Sequence, residues 1–179
     1  MGTKGHGGAR QAAALPSVDP KLTLIQPRRR ADNRRMAVAA NPRLLSALDG
    51  TARALIEALE ADGCAISRVV GDVLLLVTEQ VPPGRTAQVG AGYLLSEYPL
   101  TQYVLERREP QTLCVGDPDC DPAEERVLVH LGFQSLLMLP LELGGGVWGL
   151  VELYREEPVP FDRDEIRAAV DMLGELAQR

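Results

Sequence analysis

Two apolar runs, Ser135–Leu143 and residues 147–154, stand on either side of Gly144-Gly145-Gly146. Little besides a β-hairpin can bury both of them. Each run is strand-sized, and three consecutive glycines supply the positive φ that a tight reversal needs. A capping-box spacing follows, with Asp162 and Glu165 three residues apart. Behind it, Ile166, Ala169, Val170, Leu173 and Leu176 recur at helical steps. The end of the chain is therefore read as a hairpin and a closing amphipathic helix over 162–178.

The same reasoning extends upstream. Leu44, Leu45, Leu48, Ala52, Leu55, Ile56 and Leu59 mark an amphipathic helix over 44–61, with Pro42 in its first turn and Asp62-Gly63 ending it. Residues 64–70 and 73–78 read as strands around a Gly71-Asp72 turn. The second is apolar on both faces and is expected deep in the fold. Residues 81–92 form a Pro/Gly-rich loop. Pro99 opens a short helix to about Arg108, and 111–115 reads as a strand. Asp121-Pro122-Ala123-Glu124 is a helix start, with Asp as N-cap, Pro first and Glu third. That helix should bury Val127, Leu128 and Leu131 and stop at Gly132. The order predicts an α+β sandwich around an antiparallel sheet.

Charge divides the chain. Residues 1–40 hold eight Lys/Arg against two Asp, a net of +6, which leaves −12 for residues 41–179 of a chain whose total is −6. The first segment, rich in Gly, Ala, Arg and Pro, is expected to be a disordered basic arm. Alternatively, the native start is Met36 and the arm comes from a mis-called start codon. The acidic remainder would repel nucleic acid, so only weak, salt-dependent contact through Arg28–Arg30 and Arg34–Arg35 is expected. No apolar run is long enough to span a bilayer and no secretory signal is read. With three cysteines, Cys64, Cys114 and Cys120, lacking metal spacing, a cytoplasmic location is expected.

The stretch Leu131-Gly132-Phe133-Gln134-Ser135-Leu136-Leu137-Met138-Leu139-Pro140-Leu141, then Gly149-Leu150-Val151-Glu152-Leu153-Tyr154, then Phe161 and Glu165 resembles the GAF family of small-molecule-sensing domains. Tyr98-Pro99-Leu100-Thr101 through Glu109-Pro110 and the loop Asp117-Pro118-Asp119-Cys120-Asp121-Pro122 fit the same order. The resemblance covers roughly Leu44 to Gln178 and is similar in character to GAF modules of bacterial cyclic-dinucleotide and histidine-kinase signalling proteins. It implies a PAS-related central sheet, the terminal helices packed on one face, and a loop-covered pocket on the other. No output segment follows, so the signal is expected to pass through a partner protein that the sequence does not name. A homodimer through helices 44–61 and 162–178 would complete a four-helix bundle.

Family position and strand alternation together nominate Tyr93, Tyr98, Thr101, Tyr103, Asp117, His130, Phe133, Trp148 and Glu152 as pocket lining. Glu152 is the most informative, a carboxylate sharing a face with Trp148, Leu150 and Tyr154. Either that face is solvated at this end of the strand, or the buried charge needs a partner. His130 falls about 100° from the Val127/Leu131 stripe, at the edge of the buried face.

Several chemistries lose support. The Asn-Lys pair of cyclic-nucleotide-binding relatives is replaced by Tyr154-Arg155-Glu156-Glu157, and Gly144–Gly146 lacks the Lys of a phosphate loop. Bilin-binding relatives carry a Cys beside a His, which neither Cys114 nor Cys120 has. A haem ligand could only be His130. The sole other histidine, His6, lies in the arm, so no Ser/His/Asp set or metal site can be assembled. The expectation is a non-catalytic sensory module whose ligand or cofactor the sequence does not identify. The alternatives are an interaction module without a small ligand, or a thiol oxidoreductase of the free methionine sulfoxide reductase kind working through Cys114 and Cys120.

Overall fold

A computed structural model describes residues 42–178. The basic arm, with its arginine clusters and His6, lies outside the described residues. The elements in chain order are α1 (Pro42–Leu59), β1 (Gly63–Val70), β2 (Val73–Gln80), β3 (Gly92–Leu94), a 3-10 turn (Leu95–Glu97), α2 (Pro99–Arg107), β4 (Gln111–Cys114), α3 (Pro122–Leu131), β5 (Ser135–Leu143), β6 (Gly146–Arg155) and α4 (Arg163–Ala177). The six strands form one sheet in the order β3-β2-β1-β6-β5-β4, with every neighbouring pair antiparallel. This is the α+β arrangement that the element order predicts.

The sheet has two unlike faces. On one, Leu48, Ala52, Leu55 and Leu59 of α1 and Ala169, Leu173 and Leu176 of α4 pack on Ile66, Leu75, Val77, Leu139, Val151 and Leu153. Burying each such leucine contributes about 1.5–3 kcal/mol, so this layer anchors the fold. On the other face, α2 and α3 bring Val104 and Leu128 against Leu74, Leu76, Leu113, Leu136, Met138 and Leu150. Among the described residues no helix is long and apolar enough to cross a membrane.

Local chemistry sets the element ends. Asp162 accepts hydrogen bonds from the backbone N–H groups of Asp164 and Glu165, and Glu165 accepts in turn from that of Asp162, closing the capping box expected at α4. Asp121 caps α3 through the N–H groups of Ala123 and Glu124. The β5–β6 reversal is made by Gly144 and Gly145 at φ 64° and 84°.

Other expectations need correction. α1 stops at Leu59, and Glu60, at φ 48°, makes the turn out of the helix instead of Asp62-Gly63. Gly63 belongs to β1, where a Cβ would press on the Gln80 carbonyl oxygen at 3.2 Å and the Phe133 ring at 3.3 Å. The region 81–92 is not all loop, because Gly92 opens β3 and pairs with Leu75. Val170 is 43% exposed, since the buried stripe of α4 is narrower than its apolar residues. Val127 and Leu131 are only partly buried, and Leu128 alone of the three is fully enclosed.

Candidate ligand-binding site

A cavity lies on the α2/α3 face of the sheet. Its floor is Ala65 and Ser67 on β1, Leu74, Leu76 and Glu79 on β2, and Glu152 and Tyr154 on β6. Its roof is Tyr93, Leu95, Tyr98, Thr101 of α2, and Glu124, Val127 and Leu131 of α3. The small side chains of β1 open the space, because Ala65 sits directly across from Glu152 in the ladder. About 40 Å³ is available to the centres of water-sized molecules. One water needs roughly 10–15 Å³ on that measure, so the space suits a few waters or a compact ligand.

Two β-bulges decide which side chains enter. In the β1–β2 ladder Ile66 faces Thr78 and Ser67 faces Leu76, leaving Val77 without a partner. One extra residue reverses the alternation downstream. Leu74 and Leu76 point to the cavity, but so does Glu79, while Thr78 and Gln80 turn to the helix face. There both donate to Asp49 Oδ1 of α1, at 3.2 and 2.6 Å. In the β5–β6 ladder Leu141 faces Gly149 and Glu142 faces Val147, so Trp148 is the extra residue. Leu150, Glu152 and Tyr154 stay on the cavity side and Trp148 crosses to the α1/α4 side, packed against that core under Arg68.

Of the residues nominated from sequence, Tyr93, Tyr98, Thr101 and Glu152 are brought together in the cavity wall. The other five stand elsewhere. Trp148 is moved by its bulge. Tyr103 is 41% exposed and its hydroxyl donates to Glu109 at 3.2 Å. Asp117 lies exposed in the turn before α3, and His130 is exposed on α3. Phe133 is buried behind the cavity, stacked on Tyr154 at 4.8 Å between centroids, with the Arg85 guanidinium 4.2 Å from its ring. It positions Tyr154 without lining the space. His130, the one histidine considered for haem, therefore has no access to the cavity.

Sequence reasoning missed Glu79, Glu124 and Tyr154 as lining residues. Glu124 stands in the first turn of α3, as its sequence predicts, but its side chain turns inward. Its Oε1 accepts from the Thr101 hydroxyl at 2.5 Å and the Thr101 backbone N–H at 3.2 Å. Glu79 accepts from the Gln88 backbone N–H, tying the 81–91 loop to the cavity wall. Tyr154 was recognisable from its shared face with Glu152, whereas the inward turn of Glu79 had no sequence signal.

The electrostatics are one-sided. Glu79, Glu124 and Glu152 all line the space, and among the described residues no Lys, Arg or His does. Burial pushes all three carboxyls up; for Glu152, raised further by Glu124, lowered by a hydrogen bond with Tyr154 and raised by Glu79, the value reaches about 8. Burial, then Glu124, Glu97 and Glu152, pushes Tyr98 up to about 12, and Tyr154 is raised well above the usual phenol range by burial and Glu152. Among the described residues no three His, Cys, Asp or Glu side chains are placed to hold one metal ion.

The cysteines stand apart from this wall. Cys64 is buried in the helix-face core, where burial pushes its thiol up. Cys114 is buried with its sulfur 3.5 Å from Ser135 Oγ. Cys120 is pushed up to about 11 by burial and then by Glu125, Asp117 and Asp121.

The GAF domain family profile matches residues 43–179. The chain belongs to the GAF domain family. Solved structures agree on the fold. The GAF domain/HD domain protein from Geobacter sulfurreducens is 16% identical, with a TM-score of 0.63 over 75% of this chain and 90% of that one. A phycoerythrobilin-bound GAF domain from a cyanobacterial phytochrome is 18% identical, with a TM-score of 0.67 over 84% and 90%. The chromophore-binding domain of a bacteriophytochrome from R. palustris is 14% identical, with a TM-score of 0.66 over 83% and 58%. No curated protein matches this chain in sequence. A tetrapyrrole does not fit this GAF domain's cavity. Among the described residues the wall has no cysteine to anchor a bilin and no histidine to ligate a haem iron, and 40 Å³ is far below the ~300 Å³ at which drug-sized pockets begin.

Proposed function

We propose that this GAF domain is a non-catalytic sensor that binds a compact small molecule in the cavity and passes its occupancy to a partner protein through α1 and α4. The carrying observation is the set of ionisable side chains placed around one partly open cavity. An idle core would hold apolar residues there, because buried carboxyls cost stability unless something compensates them. The β2 bulge links that space to α1, since Glu79 faces the cavity while Thr78 and Gln80 grip Asp49. The cysteine surroundings support a non-catalytic role, because buried or acid-flanked thiols are poor thiolates. A groove between α1 and α4, lined by Ala47, Gly50, Ala54 and Met172, offers small side chains for a close helix–helix contact and supports a homodimer through these helices.

The narrowness of the cavity favours a second reading, an interaction module with no small ligand. Native mass spectrometry of protein purified from its own host separates the two. A low-mass adduct is expected on the wild type and not on Ala65→Phe, whose ring would fill the space. Identical, adduct-free spectra for both proteins would leave the interaction module. Light scattering should give twice the chain mass at tens of micromolar; a monomer there would remove the dimer.

A further inference from the structure

Among the described residues no basic side chain in the wall counters the cavity's acidity. Every charged group in its wall is a carboxylate, and Arg85 and Arg155 are committed to other partners. Arg85 donates to the carbonyl oxygens of Leu131 and Gly132 and pairs with Glu156. Arg155 pairs with Glu165 on the far side. Arg126, which lowers the Tyr98 phenol slightly, is exposed on α3. Glu124 is only 5% exposed, and both donors it accepts, from Thr101, reach Oε1; nothing among the described residues donates to Oε2. A carboxylate oxygen so deeply enclosed and without a donor is costly.

Resting on the sensor reading above, we propose that the cavity binds a small organic cation, an alkylammonium or alkylguanidinium, with its N–H groups shared among Glu124, Glu152 and Glu79. Such a cation supplies the missing donors and the missing positive charge together. A metal ion suits the site less well, because the carboxyls surround the space instead of converging on one point. An organic cation spreads its donors over several ångströms. Tyr93 and Tyr98, edge to face at 6.3 Å, and Tyr154 add ring faces that attract a cation. Leu74, Leu76, Leu95 and Val127 leave an apolar wall for a short alkyl stem. Aromatic or polycyclic cations are too large for 40 Å³.

The test is calorimetry and thermal shift on residues 1–179 with three probes of matched size: ethylguanidinium, butyrate and 1-butanol. Ethylguanidinium should bind saturably and release protons, read as heats that differ between buffers of unlike ionisation enthalpy. Its apparent affinity should rise roughly tenfold or more from pH 6 to pH 8, as Glu152 ionises more readily. The titratable groups facing Glu152 are Glu124 of α3, Glu79 of β2, Tyr98 before α2 and its own neighbour Tyr154, with Cys64 behind it on the helix face of the sheet, and all are acids. Glu124→Gln should weaken binding at least tenfold; should that protein fail to fold by near-ultraviolet circular dichroism, the partly exposed Glu79→Gln serves instead. Preference for butyrate or butanol, or a neutral or anionic adduct in the native mass spectrum, would overturn the cation while leaving the sensor intact. No binding of any probe together with an adduct-free native spectrum would overturn both.

Discussion

Replacing Glu152 by glutamine should stabilise the ligand-free protein at alkaline pH and flatten its pH dependence. The carboxyl is held at about 8 in the fold against an ordinary 4.5. The folded state therefore keeps a proton that the unfolded chain releases between those values. Stability from this group is fully present below pH 4.5, falls as pH rises through that window, and is lost above about 8. At about 1.4 kcal/mol per pH unit the window sets an upper bound of ~5 kcal/mol. Water in the cavity screens part of this, so ~2–3 kcal/mol is the working figure. Glutamine keeps the shape and carries no charge, so the variant avoids that loss. Urea unfolding at pH 5, 6.5, 8 and 9 reads the difference directly. The variant should match the wild type within ~1 kcal/mol at pH 5 and exceed it by ~2 kcal/mol or more at pH 9. Parallel curves for the two proteins would refute the reasoning, because they would mean that Glu152 ionises in the fold as freely as in the unfolded chain.

Gly149→Ala should destabilise by about 3 kcal/mol or more or abolish folding, since its Cβ would sit 1.9 Å from the Ser67 carbonyl oxygen between two central strands; thermal melting checks this. Arg155→Met should cost about 3 kcal/mol in urea unfolding. Its guanidinium, on a residue 8% exposed, donates to the carbonyl oxygens of Leu59, Val159 and Pro160 and pairs with Glu165 at 2.5 Å, so the loss strands the buried Leu59 carbonyl and leaves Glu165 without its cation. Arg85→Ala should cost about 1–2 kcal/mol, and hydrogen exchange should quicken in 81–91 and 129–134 but not in α1, because Arg85 ties the loop to the end of α3.

The elements that sequence located well are those whose signals are local. The α4 capping box, the Asp121 cap of α3 and the glycine reversal between β5 and β6 each need only a few neighbouring residues, and each is found in place. The amphipathic stripe of α1 was also legible, because Leu48, Leu55 and Leu59 recur on one side of a helix, whereas the division of the sheet into a face covered by α1 and α4 and a pocket face came from the family resemblance. Where long-range contact decides, the reading failed. α1 ends at Leu59 and turns out at Glu60, although a glycine stands three residues beyond that turn, since Gly63 is needed in β1 against Phe133.

The candidate site was half legible for the same reason. Strand alternation placed Glu152 on the cavity side, and it also placed Trp148 there, wrongly, because a bulge intervenes and alternation carries no memory across one. The bulge at Val77 has the opposite consequence, for it delivers an acid that alternation would have sent to the helices. A regular β2 would aim Thr78 and Gln80 into the cavity and Glu79 at α1, beside Asp49, where two carboxylates would repel. The irregular strand instead gives Asp49 two donors and leaves the acid facing Glu124 and Glu152 across the cavity. One inserted residue thus relieves the helix interface of a charge and adds that charge to the cavity. Glu79 in the cavity wall and the Thr78 and Gln80 contacts that hold α1 thus belong to one strand segment.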